Sequence, residues 1–260
     1  MTGTGLATFD FSGQTVFVTG STRGIGRKIA ESFVNAGARI ILHGRSETSA
    51  NAAAIEVRRA YPEAEVHAVA FDISDTDTSQ ATIADLDTRF DGLDVLISNA
   101  GFQNRTPIDD LSVETYRDVV EGNLVSHFAT CKAAAAGMAA RGNGSIVVIA
   151  SILAQHGRPG LAGYCSSKSG LLGLIRVMAC EYASRGVRTN AVGPGFIATD
   201  MTADMAAIEE FSERVIQRTP AARWGAAEDI CGAAMFLSSD AADFVHGQIL
   251  YVDGGLTAAF

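Results

Sequence analysis

Short apolar, β-branched runs alternate with longer segments of helical periodicity along almost the whole chain, and this alternation limits the fold more than any other feature. Seven runs are predicted as strands: residues 15–18, 38–42, 66–71, 93–97, 145–149, 187–192 and 248–252. Runs that are apolar at nearly every position are typical of strands buried on both faces, and long connections favour parallel pairing. The sequence therefore predicts the α/β class, with a doubly wound parallel sheet of about seven strands and helices on both faces.

The chain is predicted to be one domain over residues 1–260. This length lies near the upper limit for a single hydrophobic core, and neither a repeat nor a Pro- or Ser-rich linker divides the chain. One irregular stretch follows the sixth predicted strand, where Gly193-Pro194-Gly195 precedes a segment rich in Met, Ile and Phe. Because insertions between late strands often cover binding sites, residues 196–224 are a candidate substrate lid.

Charge and cysteine content exclude several classes of function. With 20 Lys and Arg against 29 Asp and Glu, the formal net charge is -9, which disfavours nucleic acid and anionic membranes as partners. The four cysteines stand apart without a C-x-x-C pair, which predicts buried structural thiols in a reducing compartment and no metal site. Met1 to Asp10 lack the features of a targeting segment and no apolar run spans a bilayer, so we expect a cytoplasmic protein.

A glycine-rich loop directly follows the first predicted strand and opens into an amphipathic helix. Its sequence is Thr19-Gly20-Ser21-Thr22-Arg23-Gly24-Ile25-Gly26. Glycines at these positions permit a tight turn and let the N–H groups of the first helical turn approach phosphate oxygens. The spacing G-x-x-x-G-x-G differs from the usual G-x-G-x-x-G, and an ordinary strand-to-helix turn is the alternative interpretation. The position of the loop in the first β-α-β unit favours dinucleotide binding.

Tyr164 and Lys168 are four positions apart and therefore share one face of the helix predicted over residues 163–182. Only three residues of the chain are lysines, so chance rarely produces such a pair. A neighbouring cation favours the tyrosinate, and we expect Lys168 to lower the pKa of Tyr164 toward the range of a general acid or base. Ser151 follows the fifth predicted strand, at the sheet edge where ligands bind. A surface pair and an ordinary turn serine are the alternatives.

Together these residues resemble the pattern of the short-chain dehydrogenase/reductase family, whose members are single-domain and Rossmann-like, and ordered matches extend from Thr15 to Gly255. The resemblance implies a catalytic set that consists of Asn123, Ser151, Tyr164 and Lys168. In this set Tyr164 exchanges a proton with the substrate oxygen, Ser151 bonds the same oxygen, and Lys168 also holds the nicotinamide ribose. Asn123 follows Gly122, and two poor helix formers in succession predict an irregular helical turn.

The resemblance also implies contacts with cofactor and substrate. The implied cofactor-binding residues are Gly20, Ser21, Thr22, Arg23, Gly24, Ile25, Gly26, Arg45, Asp72, Ile73, Asn99, Ala100, Gly101, Tyr164, Lys168, Pro194, Gly195, Ile197 and Thr199. Among them, Asp72 resembles the contact to the adenine amine, and Asn99 to Gly101 resembles the segment beside the adenosine ribose. The candidate substrate contacts are Ser151, Leu153, Tyr164, Phe102, Met201 and Met205, with His156 as a wall or surface residue. One departure is Ser98, where the family often has a second asparagine. Family members are usually homotetramers, so a homotetramer is expected.

The end of the second predicted strand lacks the acid that binds the ribose hydroxyls of NAD. It has Gly44 and Arg45 instead, and the first acid, Glu47, comes two residues too late. Arg45 and Arg23 are placed to hold the 2′-phosphate of NADP through charge-assisted hydrogen bonds. The sequence therefore favours NADP, with NAD as the alternative cofactor.

The expected reaction is NAD(P)-dependent interconversion of a ketone and a secondary alcohol, with NADPH-dependent reduction of a small ketone or polyol preferred. The chain is also similar to 3-oxoacyl-acyl-carrier-protein reductases, which are the alternative. Those enzymes dock an acidic carrier through an arginine that is Cys180 here, and a net charge of -9 opposes such docking. A non-catalytic dinucleotide-sensing module is the third interpretation, and it would be expected to lack part of the catalytic set, all of which is present.

Overall fold

The computed structural model describes residues 9–259. Its strands form one sheet in the order β3-β2-β1-β4-β5-β6-β7, and every neighbouring pair is parallel. The strands are β1 Thr15–Val18, β2 Arg39–Gly44, β3 Val66–Ala70, β4 Val95–Ser98, β5 Gly144–Ile149, β6 Val187–Pro194 and β7 Ile249–Val252. The predicted parallel sheet is confirmed, and the strands agree with the apolar runs to within two residues at each end.

Helices connect the strands in the described part of the chain. They are α1 Gly24–Asn35, α2 Glu47–Ala60, α3 Thr76–Arg89, α4 Val113–Val120, α5 Ser126–Arg141, α6 Ala162–Tyr182, α7 Ala203–Ala206, α8 Glu209–Arg218 and α9 Glu228–Ser238. A π-helical turn, Glu121–Val125, joins α4 to α5.

Two apolar clusters lie on opposite faces of the sheet. One contains α1, α2 and α9, with Ile29 and Ile230 fully buried, and the other contains α3, α5 and α6, with Ile83 and Ile175 buried. Each such aliphatic side chain contributes about 1.5–3 kcal/mol on burial. The prediction of helices on both faces is therefore confirmed.

The sheet order reverses between β1 and β4, because the chain proceeds from β1 outward to β3 and then from β4 outward to β7. Ligands of doubly wound sheets bind outside the carboxyl ends of the strands at such a switch point. The loops that follow β1, β4, β5 and β6 therefore meet at one edge and bring together the glycine loop, Asn99, Ser151 and Gly195.

The cysteine prediction is only half right. All four thiols are free, and Cys131 and Cys231 are buried as predicted. Cys165 is half-buried and Cys180 is exposed, because both lie on sides of α6 that face away from the sheet. A cysteine that stands far from other cysteines in the sequence is expected to be an unpaired thiol, but its position in the sequence does not determine whether its side chain is buried.

Residues 1–8, which make up most of the segment without targeting features, lie outside the described residues. Within residues 9–259, none of the helices has the combined length and apolarity that spanning a bilayer requires. Over the same residues, no group of three or more His, Cys, Asp or Glu side chains is arranged to hold a metal ion.

Candidate active site

The glycine loop turns sharply between β1 and α1. Gly20 and Gly24 have φ angles of +63° and +58°, a region that side chains rarely adopt. A Cβ added at Gly26 would collide with Asn99 Nδ2 and lie 2.6 Å from the Gly20 carbonyl oxygen. In the described chain no side chain caps the N-terminus of α1 and its first turn holds no acid, so its N–H groups are available to an anion. The loop therefore fits a pyrophosphate.

Thr19 and Asn99 join the ends of β1 and β4 beneath this loop. Thr19 Oγ1 accepts hydrogen bonds from the N–H groups of Asn99 and Ala100, at 2.8 and 3.0 Å. Asn99 Nδ2 donates to the carbonyl oxygens of Thr19 and Gly20, at 2.9 and 3.2 Å. The Asn99 side chain thus supports the loop, while the predicted ribose contact of the segment Asn99 to Gly101 stays a prediction.

Ser151, Tyr164 and Lys168 lie together where β5 ends and α6 begins. Ser151 Oγ accepts a hydrogen bond of 3.1 Å from the Leu153 N–H, so its own hydrogen is free to point elsewhere. The Lys168 ammonium lies 5.7 Å from the centre of the Tyr164 ring and donates a hydrogen bond of 2.7 Å to the Ile149 carbonyl oxygen. The structure brings these side chains together as the spacing predicts, and their catalytic roles stay predictions.

The prediction that Lys168 lowers the pKa of Tyr164 is wrong for the protein as described. Burial raises the pKa of Tyr164 to about 12, although a hydrogen bond with Ser151 acts in the opposite direction. Burial also lowers the pKa of Lys168 to about 8, and its ammonium is directed at a backbone carbonyl rather than at the phenol oxygen. At neutral pH Tyr164 is therefore a phenol, the form that donates a proton.

Asn123 is fully buried in the π-helical turn, which confirms the predicted irregularity. Its Oδ1 accepts a hydrogen bond of 2.9 Å from the Phe102 N–H, and its Nδ2 donates one of 2.6 Å to the Phe102 carbonyl oxygen. A Cβ added at Gly122 would meet the Phe102 ring, so a larger residue here would displace this exposed ring. The Asn123 amide therefore fixes the segment that follows β4 beside Lys168, whose Nζ would lie 3.9 Å from a Cβ at Gly101.

Ser98, the departure from the family pattern, has a buried partner that sequence reasoning missed. Ser98 Oγ lies 2.7 Å from His127 Nδ1 and 3.3 Å from Thr130 Oγ1. Burial, aided by the Lys168 charge, lowers the pKa of His127 to about 3, so the imidazole is neutral. Ser98 thus belongs to a buried polar cluster with His127 and Thr130 of α5. The sequence carries no local signal that links residues so far apart along the chain.

The candidate lid leaves the sheet after β6 and returns to its own starting point. Ile197 pairs with Gly225 in an isolated parallel bridge. A Cβ at Gly195 would lie 2.7 Å from Asp253 Cα, which explains why a glycine follows Pro194. Thr199 lies beside the glycine loop, because a Cβ at Gly24 would be 3.9 Å from Thr199 Cβ. This places the stretch after β6 next to the predicted phosphate site.

Aromatic rings hold the lid together. Phe196 lies 5.8 Å from Phe211 and 5.6 Å from Trp224, measured between ring centres. The Arg158 guanidinium stacks over Phe211 at 4.7 Å and donates to Met205 Sδ at 3.2 Å. Among the other predicted substrate contacts, Leu153 is half-buried, Phe102 and Met201 are exposed, and His156 is exposed on the loop before Arg158.

Two arginines that contact the candidate lid were not predicted. Arg105 donates a hydrogen bond of 3.3 Å to the Met201 carbonyl oxygen, and its loop pairs with that of Arg158 through a 3.0 Å bond from the Thr106 N–H to the Gly160 carbonyl oxygen. Burial and then the nearby Arg105 charge lower the pKa of Arg158. Within residues 9–259 neither arginine forms an ion pair with a carboxylate. Two neighbouring cations without an acid attract an anion.

The predicted adenosine contacts lie at the outer part of the site. Arg23 and Arg45 are both exposed, and Arg23 Nη1 lies 3.5 Å from Asp200 Oδ2 in an ion pair whose members are 73% and 67% exposed. Such an open pair contributes little stability and leaves Arg23 free to bind another anion. Asp72 is exposed and accepts a hydrogen bond of 2.9 Å from the Ser74 N–H, while Ile73 is half-buried.

A parallel sheet with a glycine loop at its switch point and a tyrosine–lysine pair at the neighbouring strand ends defines a dinucleotide-dependent oxidoreductase. A family model described as Enoyl-(Acyl carrier protein) reductase matches residues 20–257. The chain therefore belongs to the short-chain dehydrogenase/reductase family. It is an NAD(P)-dependent oxidoreductase that acts on a CH–OH group.

Similar proteins span the whole chain. A gluconate 5-dehydrogenase of Gluconobacter oxydans is 38% identical over 254 residues, which cover 96% of this chain and 97% of the relative. The 3-oxoacyl-(acyl-carrier-protein) reductase FabG of Escherichia coli is 34% identical over 247 residues, which cover 95% and 98%. The crystal structure of a gluconate 5-dehydrogenase from Burkholderia cenocepacia in complex with NADP and tartrate superposes with a TM-score of 0.92 at 36% identity, covering 97% of this chain and 98% of that one.

Proposed function

We propose that the protein uses NADPH to reduce a small keto-polyol that carries a carboxylate, and that it oxidises the corresponding hydroxy acid in reverse. The observation that carries this proposal is the pair Arg105 and Arg158, which contact the candidate lid at Met201 and Met205 and have no carboxylate partner among residues 9–259. A sugar acid supplies both the missing anion and a secondary alcohol. Relatives named for gluconate support the same substrate class.

The chemistry follows from the geometry of the catalytic set. A bound nicotinamide cofactor supplies the hydride for reduction and accepts it in oxidation. Tyr164, a neutral phenol at pH 7, gives its proton to the ketone oxygen, and the free hydrogen of Ser151 bonds the same oxygen. The buried Lys168 Nζ lies 5.7 Å from the centre of the Tyr164 ring and would hold the nicotinamide ribose, as the family resemblance implies. Asn123 fixes the backbone beside Lys168.

The preference for NADP rests on the two exposed arginines and on the absence of an acid at the end of β2. Gly44 ends this strand, and a Cβ there would lie 2.8 Å from Thr22 Cγ2, so no larger side chain fits. Arg23 and Arg45, both exposed, would hold the 2′-phosphate of NADP through charge-assisted hydrogen bonds. The relative solved with NADP supports this choice.

A homotetramer in the cytoplasm belongs to the same proposal. Phe128 on α5, Val177 on α6 and Leu250 on β7 are 49%, 54% and 40% exposed, and association through these elements would cover them. Light scattering of the purified protein gives the molar mass directly, and a mass of one chain would contradict the tetramer.

The proposed substrate is tested with a panel of three ketones and NADPH, followed by absorbance of the reduced nicotinamide. We expect kcat/KM for 5-keto-D-gluconate to exceed that for a neutral ketose by at least about 10-fold, because a charge-assisted hydrogen bond supplies this much selectivity. A 3-oxoacyl thioester is the third compound, since a 3-oxoacyl-(acyl-carrier-protein) reductase is also similar to this chain. Faster reduction of the thioester would favour that activity, and no turnover with any ketone would favour a sensing module.

A further inference from the structure

His43 is a buried histidine at the carboxyl end of β2, and no part of the proposed mechanism uses it. Its side chain is 1% exposed. The Gly20 N–H donates a hydrogen bond of 3.0 Å to His43 Nδ1, and His43 Nε2 lies 3.1 Å from the Phe71 carbonyl oxygen. One imidazole thus connects the glycine loop to the residue that follows β3.

The two partners determine which tautomer is present. The Phe71 carbonyl can only accept, so Nε2 carries the hydrogen, and the Gly20 N–H can only donate, so Nδ1 carries the lone pair. An imidazolium has no lone pair at Nδ1 and would lose the bond to Gly20. Burial lowers the pKa of His43 to about 4, although the bond to Phe71 and the Asp72 carboxylate act in the opposite direction, so the ring is neutral at physiological pH.

The backbone of His43 binds the next residue of the same loop. The His43 N–H donates a hydrogen bond of 2.9 Å to Ser21 Oγ, and the Ser21 N–H donates one of 3.0 Å to the His43 carbonyl oxygen. Ser21 Oγ in turn donates to the Val18 carbonyl oxygen at 2.7 Å. Gly20 has a positive φ and begins the turn toward the phosphate site, so these bonds hold the conformation of the loop where it leaves the sheet.

We propose that His43 is a positioning residue for the dinucleotide cofactor, which holds the glycine loop in its phosphate-binding conformation by accepting the hydrogen bond of the Gly20 N–H. This inference rests on the proposed dinucleotide cofactor. It adds that a side chain of β2, His43, determines the conformation of the glycine loop. Because Asp72 follows Phe71 directly, the same ring also sets the distance between the glycine loop and the predicted adenine contact.

The two functions of the ring can be separated by amide substitutions. The amide oxygen of His43→Asn reaches the position of Nδ1 and keeps an acceptor for Gly20, whereas the amide of His43→Gln reaches the position of Nε2 and keeps a donor for Phe71. Leu42→Ala is the matched control, because Leu42 is buried on the same strand as His43. Successive side chains of a strand point to opposite faces, so Leu42 lies in one apolar cluster while Ile41 and His43 face the other.

The test measures the Kd for NADPH by fluorescence titration, together with kcat at saturating cofactor and the Tm of each variant. We expect His43→Gln to raise Kd by about 10-fold or more, His43→Asn to stay within about threefold of the wild type, and kcat to change by less than about threefold in both. Leu42→Ala should lower Tm and leave Kd within about twofold. The inference would be overturned by equal Kd values for His43→Asn and His43→Gln. It would also be overturned if Leu42→Ala raised the Kd for NADPH as much as His43→Gln does. A wild-type protein that binds neither NADPH nor NADH would instead contradict the proposed cofactor.

Discussion

The ammonium of Lys168 on α6 donates a hydrogen bond of 2.7 Å to the carbonyl oxygen of Ile149, the last residue of β5. This bond anchors the catalytic helix to the strand that leads into Ser151. The partner of the buried Lys168 ammonium in this bond is a neutral carbonyl rather than a carboxylate. Burial lowers the pKa of Lys168 from 10.5 to about 8. The protein therefore loses stability by burying a charged group to which the proposed mechanism assigns a role.

Replacing Lys168 with Met should abolish turnover and stabilise the fold at pH 7. The folded pKa lies below the unfolded one, so the unfolded state binds more protons between pH 8 and 10.5, and wild-type stability rises with pH across that window. The upper limit of the gain at pH 7 is about 3 kcal/mol, from about 1.36 kcal/mol for each pKa unit. The Tm difference between Lys168→Met and wild type, measured from pH 7 to 10, should shrink as pH rises. A difference that is constant with pH would contradict the prediction.

Replacing Tyr164 with Phe should reduce kcat by about 10²–10⁴-fold, because the ring keeps its packing and loses only the proton that reaches the ketone oxygen. The Kd for NADPH should change by less than about threefold. Tyr182→Phe is the control, since Tyr182 lies on the same helix and stacks on Arg185 at its far end. Near-wild-type turnover by Tyr164→Phe would remove Tyr164 from the catalytic role.

Replacing Gly26 with Ala should raise the KM for NADPH at least about tenfold, because the new methyl group would collide with Asn99 Nδ2 and with the Gly20 carbonyl oxygen. The matched control is Gly173→Ala on α6, where an added Cβ meets no atom within 4 Å. That control should raise stability by about 0.5–1 kcal/mol, since glycine is a poor residue for a helix interior. Steady-state kinetics and thermal unfolding of both variants test the pair, and an unchanged KM for Gly26→Ala would be the contrary result.

Replacing both Arg23 and Arg45 with Ala should lower kcat/KM for NADPH by about 100-fold and for NADH by less than about threefold, because only NADPH carries the phosphate that these side chains bind. Arg23 and Arg45 are exposed, so the fold should be unaffected. The ratio of kcat/KM for the two cofactors is the measurement. Equal losses with both cofactors would show that the arginines do not distinguish them.

Replacing Arg158 with Met should raise the KM for a carboxylate-bearing substrate by about 10–100-fold, because the guanidinium that attracts the anion is lost. For a neutral ketose, the kcat/KM of Arg158→Met should fall by less than about threefold. Arg59→Gln removes the same charge from an exposed site on α2 and is the control for net charge. If both substrates lose activity equally in Arg158→Met, the residue supports the lid through Phe211 and Met205 rather than selecting the substrate.

The fold followed closely from the sequence because its strands are buried on both faces. Runs such as Val95 to Ile97 are apolar and can therefore be recognised in the sequence without knowledge of the rest of the chain. Tyr164 and Lys168 were found for a similar reason, since one helix fixes their spacing. Long-range contacts left no such signal. Ser98 and His127 meet across two elements, and Arg105 reaches the lid at Met201, so only the folded chain reveals these pairs.

Electrostatic properties were the least predictable part of the site. The distance between Tyr164 and Lys168 along the helix suggested a lowered pKa for the phenol, but the depth of burial reverses the direction. Burial depends on how α6 packs against β5 and on what covers it, and neither is contained in the spacing of two residues. The same holds for His43, whose neutral form follows from burial and whose tautomer follows from two backbone partners, Gly20 and Phe71, that lie after different strands.

The backbone bridge between Ile197 and Gly225 closes residues 198–224 into a loop whose two ends lie side by side. A segment anchored in this way can be lengthened, shortened or exchanged as a cassette without displacing β6 or α9, because the entropy of closing a loop grows only slowly with its length. Thr199, a predicted cofactor contact, lies at the start of this loop, so a graft of residues 200–224 between members of the family would leave it in place. Such a graft would show whether this loop determines which ketone is accepted.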